Sequence, residues 1–301
     1  MVRGIVQKLT ESSSSGLTVN DALRQAAAVL ATAGIDNARY EAVELMMFAA
    51  SMTREDIFRE PEQVLTERAS VIFDKAVSLR ALRRPLAYIT GERWFYGRPF
   101  KINRAVLIPR PETELIVEFV LEQARSGAAV KNIADIGTGS GCIAVTLAAE
   151  LQDTLVSAVD LSAQALLLAR KNVERHTMVD RVSLLLGDLL DPLEGRALDM
   201  IVSNPPYIAA ADADGLMPEV RIYEPSMALW EGAGVDGTVL HRRLIEGAKY
   251  LLNPGGWLVM EVGAGQADKV AEYAVEYGYK PVYFRRDLAN IERVVTLQWN
   301  P

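Results

Sequence analysis

From Lys131 to the carboxyl end the chain alternates short apolar runs with stretches of helical period, and that rhythm narrows its possible folds more than any other feature. Runs at 132–136, 154–159, 182–186, 200–203, 257–262, 280–284 and 293–299 have the length and composition of buried strands. Between them, 142–150, 163–176, 237–252 and 266–277 place apolar residues at helical spacing. Apolar strands joined through helices pair in parallel, because each crossover lays a helix on a face of the sheet. The expectation is an α/β, Rossmann-like domain with a seven-stranded sheet.

The first third reads differently. Thr18 or Asn20 can cap a helix running through Leu23, Ala27, Leu30 and Ala31, with Gly34 just past its end. A second helix covers Tyr40 to Ala49, Thr53-Arg54-Glu55-Asp56 opens a third, and Thr66 starts a fourth that ends before Pro85. Met46 and Met47 are expected as core filler. Residues 17–84 thus form a small all-α bundle, preceded by a flexible tail over 1–16 that ends in Ser12-Ser13-Ser14-Ser15-Gly16. Aromatic and β-branched residues between Pro85 and Pro111, punctuated by Gly91, Gly97 and Pro99, predict a β-hairpin linker over 85–110. Its aromatic rings, Phe100 among them, fit either a hairpin core or a wall for a substrate. The α/β domain occupies 111–301.

The formal charge of −7 argues against a dedicated nucleic-acid binder. One cysteine, Cys142, excludes an internal disulfide and fits a reducing compartment; it reads as a small buried residue, not a nucleophile. The two histidines, His176 and His241, lie far apart and read as helix-surface residues, so no metal is expected. With no secretory signal and no uncharged apolar run of membrane-spanning length, the expected location is cytoplasmic.

Two motifs carry chemistry. Asp135-Ile136-Gly137-Thr138-Gly139-Ser140-Gly141 follows the first α/β strand and opens a helix, where glycines allow a tight turn and close approach to a ligand. The glycines fall at the first, third and fifth places of the loop, not the first, third and sixth of a dinucleotide fingerprint, so a pyrophosphate lacks its usual seat. Asp160 closes the next strand, where an acid can accept both ribose hydroxyls of an adenosine ligand. Asp188 follows the third strand and can meet an adenine amino group, with Leu189 on the ring face; it also reads as a cap or turn aspartate. The second motif ends the strand at Ile201-Val202-Ser203 with Asn204-Pro205-Pro206-Tyr207. Two prolines cannot continue a ladder. The break therefore sets an amide, prolyl carbonyls and an aromatic ring at the carboxyl edge of a sheet, a setting suited to a planar, uncharged, hydrogen-bonding group.

These motifs, with Phe95-Tyr96-Gly97, Leu107-Ile108-Pro109-Arg110-Pro111-Glu112-Thr113-Glu114, Glu224-Pro225 and Ala228-Leu229, resemble the HemK/PrmC family over about residues 17–301. That family comprises the S-adenosylmethionine-dependent protein-(glutamine-N5) methyltransferases of peptide-chain release factors. The tetrad alone also occurs in adenine-N6 DNA methyltransferases. The resemblance implies S-adenosyl-L-methionine as cofactor, held by Gly137, Thr138, Gly139, Ser140, Gly141 and Asp160, with Asp188 and Leu189 near its adenine. Asn204 would touch both cofactor and substrate. Asn204, Pro205 and Tyr207 are the implied catalytic residues, and Pro206, Phe100 and Arg110 join them in binding substrate. Arg110 also reads as an organiser of the interface between the hairpin and the α/β domain, or as a solvated hairpin residue. The implied partner is a class I release factor, whose Gly-Gly-Gln loop supplies the glutamine and which the helical domain helps to grip. No nucleic acid or membrane partner and a monomeric state are expected; a ribosomal-protein glutamine or a DNA adenine are the alternative acceptors. Two departures from the family pattern, Thr238 after Asp236-Gly237 and Asn290 within 287–293, put only local packing in question.

A glutamine nitrogen is a poor nucleophile because its lone pair is delocalised. The Asn204 side-chain oxygen and the Pro205 carbonyl are expected to accept the two amide N–H bonds and stabilise charge developing on nitrogen. Tyr207 is expected to stack on the amide and exclude water.

Overall fold

A computed structural model describes residues 16–301 apart from 129 and 231. The expected tail, up to its last residue, lies outside the described residues. By their contacts the residues form two units, one running to Gly91 and including Pro218–Tyr223, the other comprising Glu92–Met217 and Glu224–Pro301.

The first unit holds α1 (Val19–Thr32), α2 (Ala38–Ala50), α3 (Arg54–Arg59), α4 (Glu67–Ala81) and α5 (Leu86–Thr90). Three of its helices start where the sequence marks them. Thr18 and Thr66 each accept a hydrogen bond from the backbone three residues on, and Thr53 forms a reciprocal capping box with Asp56. Val19, Leu30, Leu45, Met46, Ile57 and Phe73 bury the shared core, while Met47 packs at its margin. The short helix Pro218–Tyr223 belongs here as well. Its Glu219 accepts from Arg80 at 3.0 Å and from Arg83 at 2.7 Å, and Arg80 also pairs with Glu41.

Residues 86–90, expected as part of a hairpin linker, are helical. Pro85 starts the helix with its fixed φ, and Gly91 closes it in the left-handed region at φ +77°. The hairpin itself is shorter, β1 (Glu92–Phe95) and β2 (Arg98–Lys101), and belongs with the sheet unit. After it come α6 (Glu114–Arg125), β3 (Asn132–Ile136), α7 (Cys142–Glu150), β4 (Leu155–Asp160), α8 (Ala163–Arg175), β5 (Val182–Leu186) and β6 (Leu198–Ser203). The chain finishes with α9 (Val239–Ala248), β7 (Leu252–Glu261), α10 (Ala267–Glu276), β8 (Val282–Arg286) and β9 (Glu292–Gln298). The strand order is β5-β4-β3-β6-β7-β9-β8, with β9 antiparallel to both β7 and β8 and the other pairs parallel. Ile133, Ala134, Ile136, Val159, Ile201, Leu258 and Met260 are buried in its centre. Among the described residues no helix is long and apolar enough to cross a membrane.

One consequence of this order positions the site. The chain winds outward from β3 to β5, then returns to start β6 on the other side of β3, so β3 and β6 flank the topological switch point. Ile136 lies opposite Ser203, and the Ser203 hydroxyl donates to the Ile136 carbonyl at 2.8 Å. The glycine loop and the proline tetrad therefore leave adjacent strands at one edge.

Candidate active site

The glycine loop is built on three left-handed residues, Gly137, Gly139 and Gly141, with φ of +72°, +55° and +78°. A Cβ is strained in that region, which is why the loop is glycine at alternate positions. Asp135 anchors it from inside the sheet, its Oδ2 accepting from Thr138 Oγ1 at 2.6 Å and from Ala144 N at 3.2 Å. Its Oδ1 has no partner, and complete burial pushes the carboxyl up to about 7. Asp160 braces the loop from the next strand. Its Oδ2 accepts from Gly139 N and its Oδ1 from Ser162 N, both at 2.8 Å. Burial raises its pKa, opposed by these backbone donors. Each carboxylate oxygen retains a lone pair for a further donor.

Above the loop lies a cleft of about 500 Å³, within the size range of ligand pockets. Gly137, Thr138, Gly139, Ser140, Asp160, Asp188, Leu189 and Asn204 all line it. Gly141 does not. A Cβ there would stand 3.4 Å from the Cβ of Ala169, so this glycine lets α7 and α8 approach each other. Asp188 accepts from Arg243 Nη2 at 2.8 Å, and Leu189 takes a left-handed φ of +45°. The donor set suits S-adenosylmethionine. Arg243, the lining cation, is paired with Asp188, so nothing in the lining presents free positive charge to a pyrophosphate. Asp160 offers acceptors to ribose hydroxyls, apolar walls such as Leu107, Ile143 and Leu240 suit adenine, and the acidic lining tolerates a sulfonium. The Cys142 thiol, pushed up to about 12 by burial, is no nucleophile at neutral pH.

The tetrad is held by a chain of hydrogen bonds. Asn204 Nδ2 donates to Thr113 Oγ1 at 3.0 Å, Thr113 Oγ1 donates to Glu261 Oε2 at 2.6 Å, and the Tyr207 hydroxyl donates to Glu261 Oε1 at 3.0 Å. Glu261 ends β7 with 1% exposure; burial raises its pKa, opposed chiefly by these two hydroxyls. Burial, with the charge of Glu261, likewise raises that of Tyr207. The Tyr207 carbonyl accepts from Gln266 Nε2 at 2.9 Å. Among the described residues nothing donates to Asn204 Oδ1 or to the Pro205 carbonyl. Pro206 lines the cleft with Asn204, whereas Pro205 is buried, Tyr207 is half-buried and neither of these two lines it.

Further expected placements change. Phe100 is fully buried, its ring centroid 6.3 Å from that of Phe95 and 4.9 Å from that of His176, so it forms the hairpin core and does not reach the cleft. Arg110 donates to Glu224 Oε1 at 2.6 Å, and Glu224, almost fully buried, also accepts from Ile108 N at 3.2 Å. Arg110 is thus the counter-ion of a buried carboxylate and does not line the cleft. Neither histidine is a free surface residue: His176 Nε2 lies 2.9 Å from the Pro99 carbonyl, and the fully buried His241 has Nε2 2.7 Å from the Glu261 carbonyl.

The motifs assign no site role to Thr113, Gly237, Glu261, Gln266 or Asn172, although the first two stand within them. Asn172 ties the hairpin to the glycine loop, its Nδ2 donating to Lys101 O at 3.1 Å and to Ser140 O at 2.8 Å. Glu261 carried a readable signal, a carboxylate closing the apolar run Trp257-Leu258-Val259-Met260. An acid there must be paired or functional.

Comparison with known proteins identifies relatives of this chain. Residues 21–91 match the PrmC N-terminal domain, and residues 112–224 the methyltransferase small domain. A release factor glutamine methyltransferase of Nitratidesulfovibrio vulgaris is 40% identical over 97% of this chain and 99% of its own. One from Geobacter sulfurreducens is 41% identical over 92% of this chain and 95% of its own. The crystal structure of the N-terminal domain of human METTL16 in complex with SAH shares the fold, at a TM-score of 0.51 and 18% identity, covering 85% of this chain and 94% of that one.

Proposed function

This chain belongs to the release factor glutamine methyltransferase family, and from that membership we propose that it methylates the glutamine of the Gly-Gly-Gln loop in class I release factors, at the side-chain nitrogen N5. S-adenosylmethionine supplies an electrophilic methyl group when bound. The chain's own residues position and polarise the acceptor. The observation that carries the reading is the unused acceptor Asn204 Oδ1 on a residue lining the same cleft as the glycine loop, followed in the chain by the equally unpaired Pro205 carbonyl.

A primary amide has two N–H bonds, and two fixed acceptors hold it in one plane with the nitrogen lone pair normal to that plane. As nitrogen attacks it becomes positive, and the same acceptors then bind it more strongly than in the ground state. Holding the amide in place contributes further through proximity. Tyr207, fixed through its hydroxyl to Glu261, is the ring we assign to covering the amide against water. The helical unit, matching the PrmC N-terminal domain, is the part we assign to gripping the release factor.

The same tetrad suits an adenine amino group, but that reading calls for a basic surface for phosphates, and the chain carries −7. A ribosomal-protein glutamine would differ only in what the helical unit grips. The reading extends to a cytoplasmic monomer that binds no nucleic acid; the unpaired, buried Cys142 suits a reducing compartment. The test is to incubate the protein with labelled S-adenosylmethionine and, separately, release factor, ribosomal protein and DNA. Label is expected on release factor alone. Label on DNA, or none on release factor, overturns the reading.

A further inference from the structure

We propose that Thr113 and Glu261 are positioning residues that decide which end of the Asn204 amide meets the substrate, an inference that rests on the tetrad being the acceptor-amide site. A carboxylate can only accept hydrogen bonds, whereas a hydroxyl has a single hydrogen to give. Thr113 gives that hydrogen to Glu261 Oε2 at 2.6 Å, so toward Asn204 it can only accept. The group that faces it, at 3.0 Å, must therefore be the nitrogen of Asn204, and the oxygen is left free in a residue lining the cleft. The chain has a direction, and it ends at Glu261, whose two oxygens accept from the Thr113 and Tyr207 hydroxyls.

That direction matters because the oxygen and nitrogen of an asparagine are almost the same shape and exchange by a half-turn. With the amide turned, its NH₂ would face the N–H bonds of the substrate glutamine, donor against donor. The other oxygen of Glu261 holds the Tyr207 hydroxyl at 3.0 Å, so one buried carboxylate fixes the first and last residues of the tetrad. The distance in sequence is large: Thr113 reaches Asn204 across 91 residues and Glu261 across 148. The two groups meet because Pro111–Thr113 is a tight turn leading into α6 and Glu261 closes β7, the strand beside β6.

The experiment compares methyl transfer to release factor by wild type, Thr113→Val, Thr113→Ser, Asn204→Asp and Asn204→Asp with Glu261→Gln. Valine keeps the shape and removes the hydroxyl. Its kcat/KM for release factor is expected to fall roughly tenfold to a hundredfold, the range expected for one lost buried hydrogen bond. Binding of S-adenosylhomocysteine should stay within about twofold, and serine should recover most of the activity. In Asn204→Asp two carboxylates compete for one hydroxyl hydrogen. Adding Glu261→Gln lets the chain run in reverse, from Gln to Thr113 to Asp, and again leaves an acceptor for the substrate. The double variant should therefore exceed Asn204→Asp alone by about tenfold. Wild-type activity in Thr113→Val, or no gain from the second substitution, overturns the inference while leaving the function intact. A wild type inactive on release factor overturns the function reading instead. NMR of the Asn204 side-chain amide then decides the hydrogen-bond chain without substrate. Protection from solvent exchange that is lost in Thr113→Val supports it, and equal exchange in the two proteins refutes it.

Discussion

Replacing Gly237 with alanine should disable the enzyme by moving the Tyr207 end of the tetrad, which does not line the cofactor cleft. Gly237 sits at φ +74°, and a Cβ there would lie 2.0 Å from the carbonyl oxygen of Tyr207 and 2.4 Å from Gln266 Nε2. Contacts under about 3 Å do not persist, so something must move on the order of 1 Å, and the nearest atom is backbone. The left-handed conformation costs an alanine about 1–2 kcal/mol. Losing the 2.9 Å bond from Gln266 to the Tyr207 carbonyl adds about 1 kcal/mol. Stability should fall by roughly 2–3 kcal/mol, or about 3–5 °C in Tm for a chain of this size. Displacing a substrate-positioning group by about 1 Å costs on the order of a hundredfold in rate. Gly255→Ala is the control, because Gly255 has a similar φ of +82° and nothing within 4 Å of its Cβ position. Thermal unfolding, methyl transfer and S-adenosylhomocysteine binding are measured on both. Gly237→Ala should lose activity at undiminished cofactor affinity, while Gly255→Ala shows only the conformational cost. Equal losses in the two variants would refute the argument that the contact with Tyr207 is what matters.

Asn204→Ala removes one side-chain bond, to Thr113, and should cost only about 1 kcal/mol of stability but a hundredfold or more in turnover; denaturant titration beside a transfer assay separates the two. Asp135 titrates near 3.8 when unfolded and about 7 when folded, so the folded state holds its proton more tightly. Its contribution is complete below about pH 4 and is lost as pH rises through 7. Asp135→Asn should flatten the fall in Tm of the cofactor-free protein between about pH 4 and 7, and an unchanged slope would contradict the assignment. Arg110→Ala leaves the carboxylate of Glu224 buried with only the Ile108 N–H. Its pKa, already raised by burial, loses the opposing charge, so the variant should be destabilised by about 1–3 kcal/mol at pH 8 and by less at pH 5, read from urea midpoints.

What the sequence reveals about this protein is what lies close along the chain. Thr18, Thr53 and Thr66 start helices because a cap acts over three residues, and the alternation after Lys131 is enough to imply the sheet. The glycine loop, Asp160 and the tetrad are legible for the same reason. Gly141 and Phe100 are not, since whether a residue faces a ligand or a neighbouring helix depends on how elements pack, and here Ala169 and His176 take those faces. Leu86–Thr90 escapes because five residues are too few to show a period, even with Pro85 and Gly91 marking both ends. Glu261 could be suspected as an acid ending an apolar strand. Its partners Thr113 and Tyr207 come together only through the strand order, which places β7 beside β6.

The most direct measurement of the central claim is tandem mass spectrometry of a class I release factor after incubation with this protein and S-adenosylmethionine. The account predicts a single added methyl group on the side-chain nitrogen of the glutamine in the Gly-Gly-Gln loop, and none when the enzyme carries Asn204→Ala. A methyl group at any other residue, or an unchanged yield from that variant, would contradict it.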